Sequence, residues 1–413
     1  MKKFISEKPV GTIYSNQELK IISKILRSQK PLTYGVEIEL FEKKFASYLG
    51  AKYAVAVSSC GAALNISTKL LSLKKGDVVL CQSNAFWVSI VSLLERGVKV
   101  KTVDVNPNTL NIDIKDLKKK ISKKIKAIYL VHQGGNPAEL DKIKSLSNKY
   151  KVPIVEDCAH ALGAQIGKKK IGNNSLIACF SFAQQKNIST LGEGGMIVTN
   201  NKIFYKNAQG LRSNWPIGLR KKRKVKKLGI NVKPESPAFM HAGDAWDYDW
   251  IKVDEFGSTY RMSTLQAAVG LIQLKKLKKL NLMRKKISQK YSKFISNSNI
   301  FKTIEIKKNN THAWYLYDFF LKEKNCKISR DQIINILVKK FKIKLKNRYW
   351  PIHLGAIMRM RGSKIGQCPK FEKIWFNNLL SLPISPSMSS KEVNKLLNAL
   401  KFIDEKYKVI KKY

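Results

Sequence analysis

Between residues 53 and 182 the chain repeats one pattern: a short, mostly apolar run, then a helix-length stretch. The runs are Tyr53–Val57, Val78–Cys81, Val98–Val105, Ala127–Val131, Val152–Glu156 and Leu176–Phe182. Between several of them lie Ala62–Leu73, Phe86–Arg96, Ile114–Ile121 and Ala138–Lys149. A strand that is apolar on both sides needs cover on both sides, and strand–helix–strand repetition sets parallel strands beside one another with helices over each face. The spacing therefore predicts an α/β fold with a mostly parallel sheet. Ligands of such sheets bind beyond the carboxyl ends of the strands. Polar and glycine-bearing groups stand at those ends: Ser58-Ser59-Cys60-Gly61, His132-Gln133-Gly134-Gly135-Asn136 and Asp157-Cys158-Ala159-His160.

After residue 201 the pattern breaks. Residues 213–256 are polar and aromatic, with a basic run at Arg220–Lys227 and Trp215, Trp246 and Trp250. That is longer than a usual connection, so an active-site lid or an interface loop is expected. A long helical pattern follows from about Ser263 into the 290s, and the remainder mixes short strands and helices. The expected organisation is an N-terminal arm over 1–12, a large α/β domain over 13–285 and a smaller C-terminal α+β domain over 286–413.

Charge raises a rival function. The chain of 413 residues has 78 Lys+Arg against 29 Asp+Glu, a formal charge of +49. Such a balance asks for a nucleic-acid reading. Only 11 of those cations are Arg, the residue suited to bidentate phosphate and base contacts, and the lysines are spread over nearly every polar segment. A dedicated nucleic-acid partner is therefore not expected, whereas attraction of anionic substrates is. No run of about 18 apolar residues predicts a membrane helix. The basic start lacks the apolar core of a secretory signal. Six scattered cysteines without a CxxC pair suit reduced thiols in a cytoplasm, not a zinc site or a disulfide framework.

Four features carry chemistry when taken together. Val57-Ser58-Ser59-Cys60-Gly61-Ala62 turns a strand into a helix whose first amides can hold an anion, and Gly61 permits close approach. Trp87 opens a helix at a strand's carboxyl end, where it is either core or a stacking wall for a flat ligand. Asp157 ends a strand that should be buried, either as a structural acid or as the partner of a cationic ring nitrogen. Lys186 follows the strand ending in Ser181-Phe182 and precedes Gly192-Glu193-Gly194-Gly195. A lysine on a tight loop between buried strands can be desolvated and used as a nucleophile. A phosphate site, a stacking ring, a carboxylate and an amine compose a pyridoxal 5'-phosphate pocket with no metal.

Asp157-Cys158-Ala159-His160-Ala161-Leu162-Gly163-Ala164, then Ser181-Phe182-x-x-x-Lys186 and Gly192-Glu193-Gly194-Gly195, resembles the DegT/DnrJ/EryC1/StrS sugar aminotransferases. The resemblance spans most of the chain, through Phe41-Glu42-x-x-Phe45-Ala46, Asp104-Val105-x-Pro107, Tyr260-Arg261-Met262-Ser263 and Leu380-Ser381-Leu382-Pro383. It implies fold type I of the pyridoxal phosphate transferases, and a homodimer in which both subunits build each pocket. By the same resemblance Lys186 would carry the cofactor as a Schiff base and shuttle the proton. Asp157 would keep the ring nitrogen protonated and His160 would bond the ring hydroxyl. Ser181 and the Gly61 and Ala62 amides would hold the phosphate, Trp87 would stack on the ring, and Tyr349 and His353 would touch the substrate. His312 and Trp314 read as core residues.

Departures from the family pattern matter too. Ser59-Cys60-Gly61 stands where Ser-Gly-Thr is usual, so a hydroxyl contact is lost. Thr259 stands where an Asn usually reaches the partner subunit's cofactor phosphate. Related sugar dehydratases replace the lysine by His, so Lys186 argues for amino transfer. The expected reaction moves an amino group from glutamate or glutamine to a keto-sugar, nucleotide-linked. A cyclitol of the scyllo-inosose type, a dehydratase and a non-catalytic regulator stand as alternatives.

Overall fold

A computed structural model describes residues 4–222 and 248–409. Its central sheet has seven strands: β1 (Tyr53–Val57), β2 (Val78–Gln82), β3 (Lys99–Val103), β4 (Ile125–Val131), β5 (Ile154–Asp157), β6 (Ile177–Ser181) and β7 (Gly195–Thr199). Their order is β1-β7-β6-β5-β4-β2-β3. All neighbouring pairs are parallel except those made by β7, which runs antiparallel to both β1 and β6. Each of the six apolar runs expected as strands overlaps one.

Alternation along the strands assigns the two faces. Ala54, Ala56, Leu80, Ile128, Leu130, Ala178 and Phe180 join one core cluster, with residues of α2 (Val36–Leu49), α5 (Ile114–Lys120) and α6 (Leu140–Tyr150). Val55, Val57, Val79, Cys81, Ala127, Tyr129 and Cys179 join the other, under α3 (Cys60–Leu70), α4 (Val88–Glu95) and α7 (Lys202–Leu211). Successive side chains of a strand point to opposite faces, so a sheet buried on both sides is read as an unbroken apolar run. All six cysteines are free thiols, and all but Cys326 are buried.

The helices begin and stop where local chemistry requires. Ser15 opens α1 (Asn16–Arg27) and Ser263 opens α8 (Thr264–Ser296) with capping boxes closed by Glu18 and Gln266. Gly50, at φ +74°, ends α2 in the left-handed conformation that glycine adopts without strain. The expected domain boundary at 285 falls inside α8, which is continuous. Its first part, with Leu277 and Leu280, packs in the large core. Its last turns, with Ile287, Tyr291 and Ile295, pack in the small one. A single rigid rod therefore joins the two cores. Around its end Phe301–Thr303, Tyr317–Leu321 and Leu379–Leu382 form an antiparallel sheet, covered by Arg330–Lys339 and Ser390–Tyr407.

Within 213–256, Ile217–Lys222 pairs antiparallel with Tyr248–Glu255, and residues 223–247, including Trp246, lie outside the described residues. Arg96 grips Glu255 at the base of this hairpin, and Lys69 Nζ donates to the Phe256 carbonyl at 2.7 Å.

The large core turns on four rings. Phe45 meets Phe41, Phe180 and Phe182 with centroid separations of 5.9, 5.0 and 5.4 Å. Its ring joins α2 to the strand that leads into the Lys186 loop. Phe45→Ala should destabilise the protein by about 3–5 kcal/mol, measured as a lower midpoint of denaturant unfolding with unchanged slope.

Candidate functional site

The chemistry-bearing residues converge at the carboxyl ends of β1, β2, β5 and β6. Asp157 closes β5 and is almost fully buried. Its Oδ2 accepts from Ser89 Oγ at 2.6 Å and its Oδ1 from the Ala159 N–H at 3.1 Å. Two donors thus hold one orientation of the carboxyl group. Cys60 Sγ lies 4.0 Å from the same Oδ1. Burial, and then the nearby Asp157, push the Cys60 thiol well up, so it stays protonated and is no nucleophile.

His160 lies one turn beyond Asp157. Its ring stacks on Tyr315 at 4.3 Å and 19°, and Nε2 meets Tyr349 Oη at 3.0 Å. Burial pushes its pKa well below the usual value, and the charges of Lys186 and Arg348 push it further. The imidazole is therefore neutral. Its other nitrogen, Nδ1, is buried with no partner. A buried ring nitrogen without a partner is a place for a polar group of a ligand.

Lys186 leans over the opposite arrangement, with Nζ 4.3 Å from the centre of the Tyr315 ring. Burial alone would raise the Tyr315 pKa, but the positive charges of Lys186 and Arg348 outweigh it and lower it. The Lys186 loop is tight. The Phe182 N–H bonds to the Gly194 carbonyl, and the Thr190 N–H to the Phe182 carbonyl, at 2.7 and 3.1 Å. At Gly195 an added Cβ would stand 2.4 Å from the Ser59 carbonyl, so β7 starts in backbone contact with the turn into α3.

That turn presents Gly61 and Ala62 in the first turn of α3, where amides lack intrahelical acceptors. Ser59 Oγ takes the Ala62 N–H at 3.0 Å, so the Gly61 amide is the better placed of the two for an anion. Ser181, at the end of β6, is buried beside the Lys186 loop, its Oγ 3.4 Å from the Ala183 amide.

Three expected positions stand elsewhere. Trp87 is 56% exposed and meets Phe86 edge-on, whereas the Phe86 ring lies 5.1 Å from Tyr349 inside the group. Phe86, itself 43% exposed, is the one of the two that contacts Tyr349. His353 is fully buried, with Nε2 2.8 Å from Glu372 Oε1. Thr259 is exposed, and its Oγ1 accepts from Asn214 at 2.7 Å. His132, Glu156 and Cys158 also cluster, but His132 Nδ1 accepts the Ala138 N–H and Nε2 faces Glu156, which leaves neither nitrogen open to an ion. Sequence reasoning missed Ser89, Tyr315 and Arg348 as neighbours of the site. Ser89 had a signal, as a small polar residue in the first turn of an otherwise apolar helix.

An anion-holding turn, an oriented carboxyl group, a neutral imidazole with an open nitrogen and an amine fit pyridoxal phosphate. A model of the DegT/DnrJ/EryC1/StrS aminotransferase family matches residues 13–401. The chain belongs to that family. It is 33% identical over 316 residues, 75% of this chain and 76% of the other, to the UDP-4-amino-4,6-dideoxy-N-acetyl-beta-L-altrosamine transaminase of Campylobacter jejuni. With the spore coat polysaccharide biosynthesis protein SpsC of Bacillus subtilis it shares 29% identity, covering 95% of each chain. Its fold is that of an aminotransferase from Psychrobacter cryohalolentis, at a TM-score of 0.83 and 24% identity over 96% of this chain and 98% of that one. The family member described here is a pyridoxal phosphate-dependent aminotransferase.

Because the folded state keeps His160 neutral while the unfolded chain takes up a proton near the ordinary pKa, stability contributed at this site is lost as pH falls below about 6.5. In NMR spectra of histidine-labelled protein, the signals that vanish in His160→Asn should not shift between pH 8 and 5.5.

Proposed function

We propose that this aminotransferase moves an amino group from glutamate or glutamine to a nucleotide-linked keto-sugar, in the synthesis of a polysaccharide or other glycan. The observation that carries the proposal is that Lys186 Nζ and the neutral His160 ring both lie against Tyr315, near the strand end where Ser89 and the Ala159 amide orient Asp157. The named activities of the Campylobacter and Bacillus relatives support the sugar as acceptor. The charge of +49 supports an acceptor that carries a diphosphate. None of the described helices is long and apolar enough to cross a membrane, and a cytoplasmic site suits both the free thiols and such a substrate.

Pyridoxal phosphate supplies the electron sink through which the amino group passes. The chain's own residues do the rest. Lys186 binds the cofactor through its amine and, when released, carries the proton to and from the substrate carbon. Tyr315, under that amine, limits where it can swing. Asp157, oriented by Ser89 and the Ala159 amide, holds a proton at the ring nitrogen. His160 Nδ1, buried without a partner, would receive the ring hydroxyl. The Gly61 amide and Ser181 would hold the phosphate, and Phe86 or Trp87 would cover the ring. Tyr349, fixed by His160, lies where an acceptor sugar would enter. Thr259, outside this group, serves the pocket of a second subunit in a homodimer.

Borohydride reduction of the purified protein should leave a pyridoxyl group on the peptide that carries Lys186, read by mass spectrometry. Lys186→Ala should keep the circular dichroism spectrum and lose at least about 10²-fold in turnover. Full activity in that variant overturns the mechanism. Assay with glutamate and glutamine against a nucleotide keto-sugar and scyllo-inosose should regenerate the aldehyde form of the cofactor with the nucleotide sugar; regeneration only by inosose makes the enzyme a cyclitol aminotransferase.

A further inference from the structure

The residues ahead of α1 have no part in the chemistry above, yet they lie on the Lys186 loop. Ile5 pairs in parallel with Ile343 and belongs to the small-domain core. Six residues on, the Gly11 N–H donates to the Gln184 carbonyl at 2.7 Å. A Cβ on Gly11 would come 2.1 Å from the Gln185 carbonyl oxygen and 2.6 Å from that of Lys186. The segment therefore crosses backbone against backbone over the peptide that carries the lysine, and only glycine leaves room. The Gly11 carbonyl is held in turn by Arg284 Nη2 at 2.6 Å, and Nη1 of this buried arginine bonds the Trp314 and Ile384 carbonyls at 3.1 and 2.9 Å. Thr12 Oγ1 then anchors on Gln273 of α8 at 2.5 Å.

A second contact reaches the loop through a side chain. Glu7 receives the Arg348 guanidinium in a forked pair, with Nη1 2.7 Å from Oε1 and Nη2 on Oε2, and the same Nη2 donates to Gln185 Oε1 at 3.1 Å. Arg348 is buried, and its guanidinium carbon lies 5.9 Å from the centre of the Tyr315 ring that also carries Lys186 Nζ. Glu7 thus orients the loop through Gln185 and offsets a positive charge near the lysine.

We infer that residues 7–11 are a strap that positions Lys186, with Gly11 setting the height of the loop and Glu7, through Arg348, its orientation and the charge around it. Gly11 and Glu7 are positioning residues. The inference rests on Lys186 as the cofactor-bearing amine. In Glu7→Gln the Arg348 charge is less compensated, and a nearby like charge disfavours a protonated amine. Of the other groups facing that amine, His160, Glu193 and Cys60 keep their surroundings in this variant, whereas Tyr315 loses the Glu7 charge that raises its pKa.

The test compares Glu7→Gln and Gly11→Ala with Lys8→Met, which removes a strap contact to Glu392 of the small domain and touches nothing in the loop. Backbone amide exchange is read first, on protein stripped of cofactor. Peptides covering 184–190 should exchange about tenfold faster in the first two variants and not in the third, with 177–181 unchanged. In cofactor-loaded protein the pH midpoint of the lysine-bound absorbance band should fall in Glu7→Gln. The half-reaction with the amino donor should slow by about tenfold or more in both strap variants, at unchanged donor affinity. If both variants merely lower the melting temperature as Lys8→Met does, with loop exchange and midpoint at wild-type values, the strap is packing alone and the inference falls. Faster loop exchange together with no pyridoxyl adduct on wild-type Lys186 upholds the strap and removes the cofactor reading instead.

Discussion

The structure depends on the close approach of Gly195 to the backbone of Ser59. β7 is the one antiparallel strand of the sheet, inserted between β1 and β6, and its first residue lies against the turn from β1 into α3. The connection from β6 to β7 must then reverse at the carboxyl edge of the parallel strands, and Lys186 rides on that reversal. The same approach brings the turn into α3 within reach of the lysine's charge, which acts on Cys60. A side chain at 195 would hold the two apart, which is why glycine stands there beside the left-handed glycines 192 and 194.

Around this junction the molecule uses buried polar groups to specify one arrangement. Arg284 joins the N-terminal segment to two carbonyls of the small domain, Glu372 holds His353 and three contacts to the amides of Gly366 and Cys368, and Asp157 has two fixed donors. Buried polar groups cost stability unless they are bonded, so each bonded set favours one packing over its near alternatives. His160 Nδ1, like His353 Nδ1 and Arg284 Nε, is buried without a partner, and of these three residues His160 is the one stacked on the Tyr315 ring beneath Lys186.

Much of this was legible in the chain. Runs such as Val55–Val57 and Cys179–Phe180 announced a doubly covered sheet because each face of a strand needs its own apolar partners. Asp157 and Lys186 could be found because they interrupt or follow such runs at strand ends. Trp87 and Phe86 show where legibility stops. Both are aromatic and both open the same helix, and the direction of each ring depends on how that helix enters, a matter of one residue in phase. His353 failed for another reason. Its motif placed it near the site in order, but its partner Glu372 is 19 positions away by sequence and comes into reach only through the small-domain fold.

By itself, then, the sequence determined the class of fold and the strand ends at which polar residues such as Asp157 and Lys186 gather, because periodicity and chemical type are local properties. Tertiary structure alone decided that Phe86 meets Tyr349, that His160 is neutral, and that a glycine in the eleventh position lies on the lysine's own peptide. Each of these is set by contacts between segments tens to hundreds of residues apart, and distance along a chain carries no record of them.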